Sequence, residues 1–435
     1  MERRDTGRFD ALDTLRCLAV LVMVQGHAFF VTLDGPARAQ PWHRWHDYIH
    51  GYTAPGFLFG AGLAFGYTTL GRQLQAHASW GPVLKRRLYR YLSLFAIGYA
   101  LQLPPVFEPP ASWSASAVRV FLRVEALQHI GAILLCCQAL VLLWRNRLGV
   151  VLSCLVLAAL VVVAGPALSQ WSLAEFGPAP WAAYWTSASG STFPLVPWSG
   201  FVFVGVACGA TLYWARGRLE PLPIACGWLV VGGLCVGLSL LLDQAAPDAF
   251  GPHPYWKASP YFFLRRLGWV AIVLGVLALL DALRVGTPVK AGPVRQWVRR
   301  ISQQSLVVYV AHLVLLYGCP IAPGLRPLLW RQLGLLPSTL VVIGLFVVLG
   351  ALLIGWEWLQ NHAALSFARL RRFGVAVMAL ASLAVGAVIV GPSAVQQVKA
   401  EPTVVGAHGG PDCGTAGLPC AEERPRGSNL PLVAN

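Results

Sequence analysis

The chain has 435 residues, of which 56% are hydrophobic and only 12% are charged. A soluble domain carries about 25% charged residues, so this composition excludes an ordinary water-soluble protein and indicates one embedded in a lipid bilayer. The net charge of +15 would suit a nucleic-acid partner, but most Lys and Arg residues fall in segments on one predicted side of the membrane, as the positive-inside rule expects. We therefore predict no binding to nucleic acid.

Eleven apolar runs follow one another along the chain, most of them near the length of ~20 residues that a spanning helix needs. They lie at approximately residues 12–33, 54–70, 88–103, 121–143, 148–168, 194–215, 222–242, 262–284, 302–321, 338–360 and 374–392. We predict an all-α polytopic transmembrane helix bundle of about eleven spans with a cytoplasmic N-terminus. Residues 1–392 form this membrane domain, and the polar, Gly/Pro-rich residues 393–435 are expected to be a disordered extracytoplasmic tail.

The first run carries ionisable residues, which are costly inside a bilayer and usually functional. Arg16 and His27 are eleven residues apart, so they share one helical face about 16 Å apart in depth. Asp13 lies three residues before Arg16 and can pair with it. The alternative is an Asp–Arg pair that anchors the foot of the helix and a histidine that bonds a neighbouring carbonyl.

The fourth run opens with Glu125 and His129, four residues apart. On one helix they share a face, and the carboxylate could orient the imidazole and raise its basicity. The alternative is an interfacial pair between Arg123 and Glu125.

The ninth run places Ser305, Tyr309 and His312 on one helical face. His27, His129 and His312 are each isolated in a different run, which predicts a polar cavity that they share. The alternative is that each histidine is satisfied separately by its neighbours.

The first outside loop is rich in histidine. If the loop is helical, His43, His46, Asp47 and His50 share a face, at spacings that a metal can use. Interfacial loops are often rich in His and Trp, however, and we assign no metal from the sequence. The chain also lacks the P-loop, Rossmann and nucleophile-elbow motifs.

Five short motifs resemble those of one family of multi-span membrane acyltransferases. They are D-A-L-D-T-L-R-C-L-A at 10–19, A-P-G-F-L-F-G-A-G at 54–62, L-Q-H-I-G at 127–131, F-P-L-V-P-W-S-G-F at 193–201 and S-L-x-x-Y-x-x-H at 305–312. Together they are similar to the heparan-α-glucosaminide N-acetyltransferase-type catalytic domain, which is related to the acyltransferase-3 superfamily. Arg16 and His27 also fit the first-span Arg–His motif of that superfamily.

Two departures from the family pattern affect the site. Cys17 replaces the usual glycine after the arginine. The lysosomal enzymes of the family place their key histidine in the first outside loop, so the nucleophile or base is His27 or one of His43, His46 and His50.

The resemblance implies transfer of an acyl group to a hydroxyl or amine of an extracytoplasmic carbohydrate or glycolipid. The donor is expected to be cytosolic acetyl-CoA as a co-substrate, with no bound cofactor, and the location a bacterial cytoplasmic membrane. The expected catalytic residues are His27, Arg16, Asp13, Glu125, His129 and His312. The residues expected to bind acyl-CoA are Lys85, Arg86, Arg87, Ser305 and Tyr309.

Two of these expected roles, phosphate binding and stabilisation of the oxyanion, have alternatives. The cations at 85–87 could hold the CoA phosphates or act only as topogenic charges. Arg16, Tyr309 or His312 could stabilise the oxyanion.

Other readings of the whole chain remain open at this point. A transporter or flippase would use the histidines as an intramembrane proton relay, and a structural or sensory membrane protein would need no turnover. The sequence names neither the acceptor nor the acyl chain, and it leaves open whether two copies form a homodimer.

Overall fold

The computed structural model describes residues 9–72, 74–77, 79–104, 113–170, 179–187, 190–283, 292–320 and 322–362, which are mainly helical. The first helices are α1 (Asp10–Thr32), α2 (Gly35–Arg38), α3 (Pro41–His50), α4 (Thr53–Phe65), α5 (Leu74–His77), α6 (Pro82–Leu101), α7 (Ala115–Leu122), α8 (Ala126–Trp144) and α9 (Arg147–Ser169). The later helices are α10 (Ala179–Trp185), α11 (Leu195–Arg216), α12 (Pro221–Ala245), α13 (Tyr255–Ala258), α14 (Pro260–Leu283), α15 (Pro293–Gln303), α16 (Ser305–Tyr317), α17 (Arg326–Leu329) and α18 (Leu335–His362). A π-helical segment, Gly66–Arg72, continues α4, and the antiparallel pair β1 (Gly318–Cys319) and β2 (Ala322–Pro323) follows α16.

Within the described residues, seven helices are long and apolar enough to cross a membrane, namely α1, α8, α9, α11, α12, α14 and α18. Three further predicted runs also contain helices, which are α4 with its π-helical continuation, α6 and the shorter α16. These helices confirm the prediction of an all-α polytopic protein. The predicted run at 374–392 and the tail at 393–435 lie outside the described residues, and the number of spans and the side of the N-terminus stay predictions.

The fourth predicted run contains a break that the sequence did not indicate. Arg123 and Glu125 have extended backbone, and α8 begins only at Ala126. Two long-range contacts hold this segment, since the amide of Val124 donates to Ser191 Oγ at 2.9 Å and the Val124 carbonyl accepts from the amide of Phe193 at 3.1 Å. The expectation that Glu125 and His129 share a face within one helix is therefore wrong, because Glu125 precedes α8.

Glycines allow α4 and α11 to approach each other backbone to backbone. Gly62 and Gly66 face Gly205 and Gly209, and a Cβ added at Gly62 would lie 2.1 Å from the carbonyl oxygen of Val202. Such paired small residues are common where membrane helices pack closely. The two helices run parallel, so their N-termini lie at the same end of the bundle.

One end of the bundle therefore collects several helix termini. The C-termini of α1, α6 and α16 lie there with the N-termini of α4, α8 and α11, as the cavity described below shows. We call this end the His27 end, and the opposite end, where α1 begins, the Asp10 end. Two apolar clusters build the interior, one mainly from α4, α8, α9, α11 and α14 and the other mainly from α1, α16 and α18, and Phe57 packs against both.

Candidate active site

A cavity of about 520 Å³ lies at the His27 end, within the size range of small-molecule sites. Its wall is mostly apolar. The polar side chains in the wall are His27, His50, Thr53, Gln102, Ser116, Arg123, Glu125, Gln128, Tyr309, Tyr317 and Arg326. Ser116 and Val120 of the lining are exposed, so the cavity reaches the protein surface beside α7.

A chain of hydrogen bonds fixes which nitrogen of His27 is basic. The Nδ1 atom of His312 lies 2.9 Å from the carbonyl oxygen of Val308, which can only accept, so this nitrogen carries the proton. In the neutral ring, His312 Nε2 is then an acceptor, and it lies 3.0 Å from His27 Nδ1. His27 Nδ1 is therefore the donor. The remaining nitrogen, Nε2 of His27, keeps its lone pair, and His27 is the member of the pair that lines the cavity.

His50 reaches the same cavity from α3. Its ring centroid is 5.8 Å from that of His27, and it lies directly over Gly26, where an added Cβ would be 1.9 Å from His50 Cδ2. Burial lowers the pKa of His50 to about 4, with a further lowering from His46. His50 is therefore neutral near pH 7.

Several buried polar atoms around the cavity have no hydrogen-bond partner among the residues that the structure describes. They are Nε2 of His50, Oη of Tyr317 and Oε1 of Gln128. The ring of Tyr317 lies edge-on to His27 at 6.0 Å between centroids. Buried polar atoms without a partner are uncommon in folded proteins. These atoms can form hydrogen bonds with a polar ligand in the cavity, or with water that such a ligand displaces.

The structure gives Glu125 and His129 separate partners. Glu125 lines the cavity, with one carboxylate oxygen 2.7 Å from Nε of Arg123 and 2.8 Å from the hydroxyl of Thr192. His129 is fully buried and its Nδ1 donates to the carbonyl of Phe193 at 3.0 Å. No described residue offers its Nε2 a hydrogen bond. Glu125 therefore does not orient His129, and the Arg123–Glu125 pair that was the alternative is present.

The ionisable residues in the first half of α1 lie away from the cavity lining. Asp13 accepts a hydrogen bond of 2.7 Å from the hydroxyl of Ser302, and Nη2 of Arg16 donates to the carbonyl of Gly60 at 3.2 Å. Arg16 and His27 are eleven positions apart on the helix, a rise of about 16 Å. Arg16 is therefore too far along α1 to stabilise an oxyanion formed at His27. The alternative that gave Arg16 this role is wrong.

The expected acyl-CoA residues divide between the two ends. Lys85 and Arg86 are exposed at the start of α6, near the Asp10 end, and Arg87 donates to the hydroxyl of Thr68 at 3.3 Å. From Arg87 to Gly98, where α6 meets the cavity, the helix rises about 16 Å. The basic segment and the cavity are thus distinct places.

The two expected acyl-CoA residues of α16 also separate. Tyr309 lines the cavity, and its ring lies 5.5 Å from that of His312. Ser305 is the first residue of α16, about 10 Å along the helix from His312, and lies outside the lining.

The histidine-rich loop forms the helix α3. A helix is the condition under which its histidines were predicted to share a face. Nδ1 of His43 lies 3.1 Å from Oδ2 of Asp47, and Nδ1 of His46 lies 3.2 Å from Oδ1. Burial raises the pKa of Asp47, but the hydrogen bonds from His43 and His46 outweigh this effect and bring it to about 2. His50, three residues further, enters the cavity, while His43 and His46 lie outside its lining.

Sequence reasoning did not assign several residues of the lining. Gln128 lies in the motif L-Q-H-I-G and Trp198 in F-P-L-V-P-W-S-G-F, so their positions in these motifs could have identified them as site residues. Tyr317 and Arg326 stand at or beyond the end of α16, where no periodic pattern marks them.

The helices and the cavity define an integral membrane protein of the polytopic helical class with histidines around an internal site. The model of the heparan-alpha-glucosaminide N-acetyltransferase catalytic domain matches residues 8–236, which is more than half of the chain. The protein belongs to this family, and it is therefore a membrane acyltransferase in general terms. A comparison with curated proteins finds no match.

Proposed function

We propose that this protein transfers an acetyl group from acetyl-CoA to a hydroxyl or amine of an extracytoplasmic carbohydrate or glycolipid, with His27 as the central residue. The observation that carries this proposal is the hydrogen-bonded chain from the Val308 carbonyl through His312 to His27. It leaves a basic imidazole nitrogen at a cavity large enough for the reacting parts of two substrates.

The chemistry follows from that nitrogen. Nε2 of His27 accepts the proton of the acceptor hydroxyl or amine as this group attacks the thioester carbonyl. The tetrahedral intermediate then expels the CoA thiolate, which takes the proton from the imidazolium, so the imidazole returns to its neutral form. In the covalent version, Nε2 attacks the thioester carbonyl and the CoA thiolate leaves. The acceptor then attacks the acetyl-imidazolium, the N–acetyl bond breaks to give back neutral His27, and the acceptor proton goes to the thiolate. His312 serves both versions because its Nε2 accepts a hydrogen bond from Nδ1 of His27 and so holds the ring.

Neighbouring hydroxyls can stabilise the negative charge that develops on the carbonyl oxygen. Tyr317 Oη has no hydrogen-bond partner within the described part of the chain, and its ring makes a T-shaped contact with that of His27. Tyr309 also lines the cavity. His312 is less suited, because its Nε2 already accepts from His27. We assign the oxyanion to Tyr317, with Tyr309 as the second donor.

The proposal includes the membrane arrangement. With a cytoplasmic N-terminus, the Asp10 end faces the cytosol and the His27 end faces outward, in a bacterial cytoplasmic membrane. The exposed cations Lys85 and Arg86 then face the compartment that contains acyl-CoA. They hold its phosphates while the acyl arm extends about 16 Å along α6 toward His27.

The test uses purified full-length protein in lipid nanodiscs with acetyl-CoA labelled in the acetyl group and a panel of amino and neutral sugars. Acetylated sugar that depends on the protein is the expected result. Label on the protein alone before sugar is added would indicate the covalent route. Absence of label on protein and on every sugar, in a preparation that still binds acetyl-CoA, would contradict the proposal.

A transporter or flippase that uses the histidines as a proton relay is distinguished in the same preparation. In liposomes, it would move a labelled sugar or lipid-linked sugar without acetyl-CoA. Transfer of acetyl label without such movement supports the acyltransferase.

A further inference from the structure

Outside the cavity, α3 presents three potential metal ligands on one side. His43, His46 and Asp47 are partly buried, and one ligand atom from each lies within 4.8 Å of the other two. Both histidines direct Nδ1 at the carboxylate, at 3.1 and 3.2 Å. In a tetrahedral site with ligand bonds of about 2.0–2.2 Å, neighbouring ligand atoms are roughly 3.4 Å apart. The spacing is therefore close to that of a metal centre.

The hydrogen bonding of His46 points the same way. Its Nε2 lies 2.9 Å from Oε1 of Gln25, an amide oxygen that can only accept. Nε2 therefore carries a proton. Nδ1, which faces Oδ1 of Asp47 at 3.2 Å, is then the nitrogen that a cation can bind in place of a proton. An outer oxygen that accepts from the second nitrogen is the usual companion of a metal-bound histidine.

Arg38, whose charge acts on Asp47, makes its hydrogen bonds elsewhere. Arg38 donates from Nη2 to the carbonyl of Phe30 at 2.7 Å and from Nε to the carbonyl of Leu33 at 3.1 Å. Its guanidinium also lies over the Phe30 ring. The Asp47 oxygens are therefore left to the two histidines.

We propose that His43, His46 and Asp47 bind a zinc ion, with water as the fourth ligand. Two imidazoles and one carboxylate with an open position form a donor set that zinc accepts. On binding, the ion takes the place of any proton between Nδ1 and the carboxylate, and that proton goes to solvent.

The position of the site gives the ion a structural role. Gln25 belongs to α1, so the His46–Gln25 contact couples the metal to the helix that carries His27. His50 follows at the end of α3, stacked on His46 at 6.0 Å. Zinc bound here fixes α3 against α1 and holds His50 in the cavity. The site stands apart from the proposed acyl transfer, since its ligands lie outside the cavity lining.

The first test measures zinc in the wild-type protein. Full-length protein is purified with a tag that contains no histidine, loaded with zinc chloride, dialysed and examined by mass spectrometry of metals. We expect about one zinc per chain. X-ray absorption should show nitrogen and oxygen ligands at about 2.0–2.1 Å, two of them imidazoles. A protein that retains no zinc would overturn the proposal, as would sulfur ligands at about 2.3 Å, which would place the ion at cysteines.

Variants then locate the ion. Asp47→Asn keeps the shape of the side chain and should weaken zinc binding at least tenfold, and Gln25→Leu should weaken it roughly 10–100-fold through loss of the outer partner. His362→Ala is the matched control, because His362 is exposed at the end of α18 and should leave binding unchanged. Equal zinc affinity in wild type and Asp47→Asn would refute the site. If a variant fails to fold, the X-ray absorption spectrum of the wild-type protein still tests whether two imidazoles bind the zinc.

Discussion

The two ends of α1 hold ionisable side chains in different ways. At the Asp10 end, Asp10 pairs with Arg295 and Arg299 of α15, and Asp13 accepts from Ser302 of the same helix. At the His27 end, the imidazole of His27 is held on one side only, and its second nitrogen is left for the cavity.

This difference distinguishes ionisable residues that stabilise the fold from those that are available for catalysis. An ionisable residue in a membrane helix is costly, and at the Asp10 end the protein offsets that cost with its own donors and acceptors. At the His27 end, His50 and Tyr317 keep buried polar atoms that have no partner among the described residues. Such atoms also occur elsewhere, as at Nε of Arg299, so the feature that marks the site is their position in the wall of a cavity beside His27. Substitutions at both ends of α1 test this distinction.

Replacement of His27 should have the largest effect. His27→Ala removes the base, and acetyl transfer should fall about 10²–10⁴-fold, the usual contribution of such a group. The measurement is turnover of labelled acetyl-CoA per folded molecule, with folding followed by size-exclusion chromatography. His362→Ala, an exposed histidine at the end of α18, should keep wild-type turnover. A His27→Ala protein with at least half of wild-type turnover would remove His27 from the mechanism.

Replacement of His312 should have the next largest effect, because His312 acts through His27. His312→Ala should lower kcat roughly 10–100-fold, as the loss of an orienting partner commonly does, with a smaller change in KM. His312→Gln offers an amide oxygen to the Nδ1 proton and should restore part of kcat. If Ala and Gln behave identically, the hydrogen bond is not what His312 contributes.

Gly26→Ala tests the placement of His50. The new Cβ would lie 1.9 Å from the His50 ring, so the ring must move or α3 must shift, at a cost of about 1–3 kcal/mol for an overfilled site. We expect a lower Tm and turnover reduced by about tenfold. Gly344→Ala is the control, since nothing lies within 4 Å of its added Cβ. Unchanged turnover and Tm in Gly26→Ala would place His50 elsewhere.

The paired substitution Lys85→Ala and Arg86→Ala should act on donor binding alone. Exposed charge contacts are worth roughly 0.2–1 kcal/mol each, so loss of both should raise KM for acetyl-CoA about two- to thirtyfold while kcat stays constant. Steady-state kinetics at low ionic strength make the comparison. A KM equal to that of wild type would leave these residues with a topogenic role only.

Asp13→Asn should have the smallest effect on turnover. It weakens the hydrogen bond from Ser302, which is worth about 1.5–3 kcal/mol when the acceptor is charged, so Tm should fall. Turnover per folded molecule should stay within about twofold of wild type, because Asp13 lies outside the cavity lining. A large loss of kcat at unchanged Tm would show that the Asp10 end takes part in the chemistry.

The sequence predicted the helices well because long apolar runs determine spanning helices with little help from tertiary contacts. It also predicted that His27, His129 and His312 would share a polar cavity. His27 and His312 do meet, but only His27 lines the cavity, and His129 bonds the carbonyl of Phe193 instead. It failed at Glu125, because the break before α8 depends on Ser191 and Phe193. These residues bond Val124 from 67 and 69 positions further along the chain.

The position of His50 shows the same limit. The spacing along the loop predicted a helical face shared by His43, His46 and His50, and α3 is helical. Only the three-dimensional contact with Gly26 shows that His50 enters the cavity and that its two neighbours do not.

Site-resolved modification of the unaltered protein tests most directly whether His27 presents an accessible basic nitrogen to the cavity. Diethyl pyrocarbonate acylates neutral imidazoles, and peptide mass spectrometry reads each histidine separately. His27 should be modified in step with the loss of acetyl transfer and protected by a thioether analogue of acetyl-CoA, while the fully buried His129 stays unmodified. A His27 as unreactive as His129, or full turnover after His27 is modified, would contradict the account.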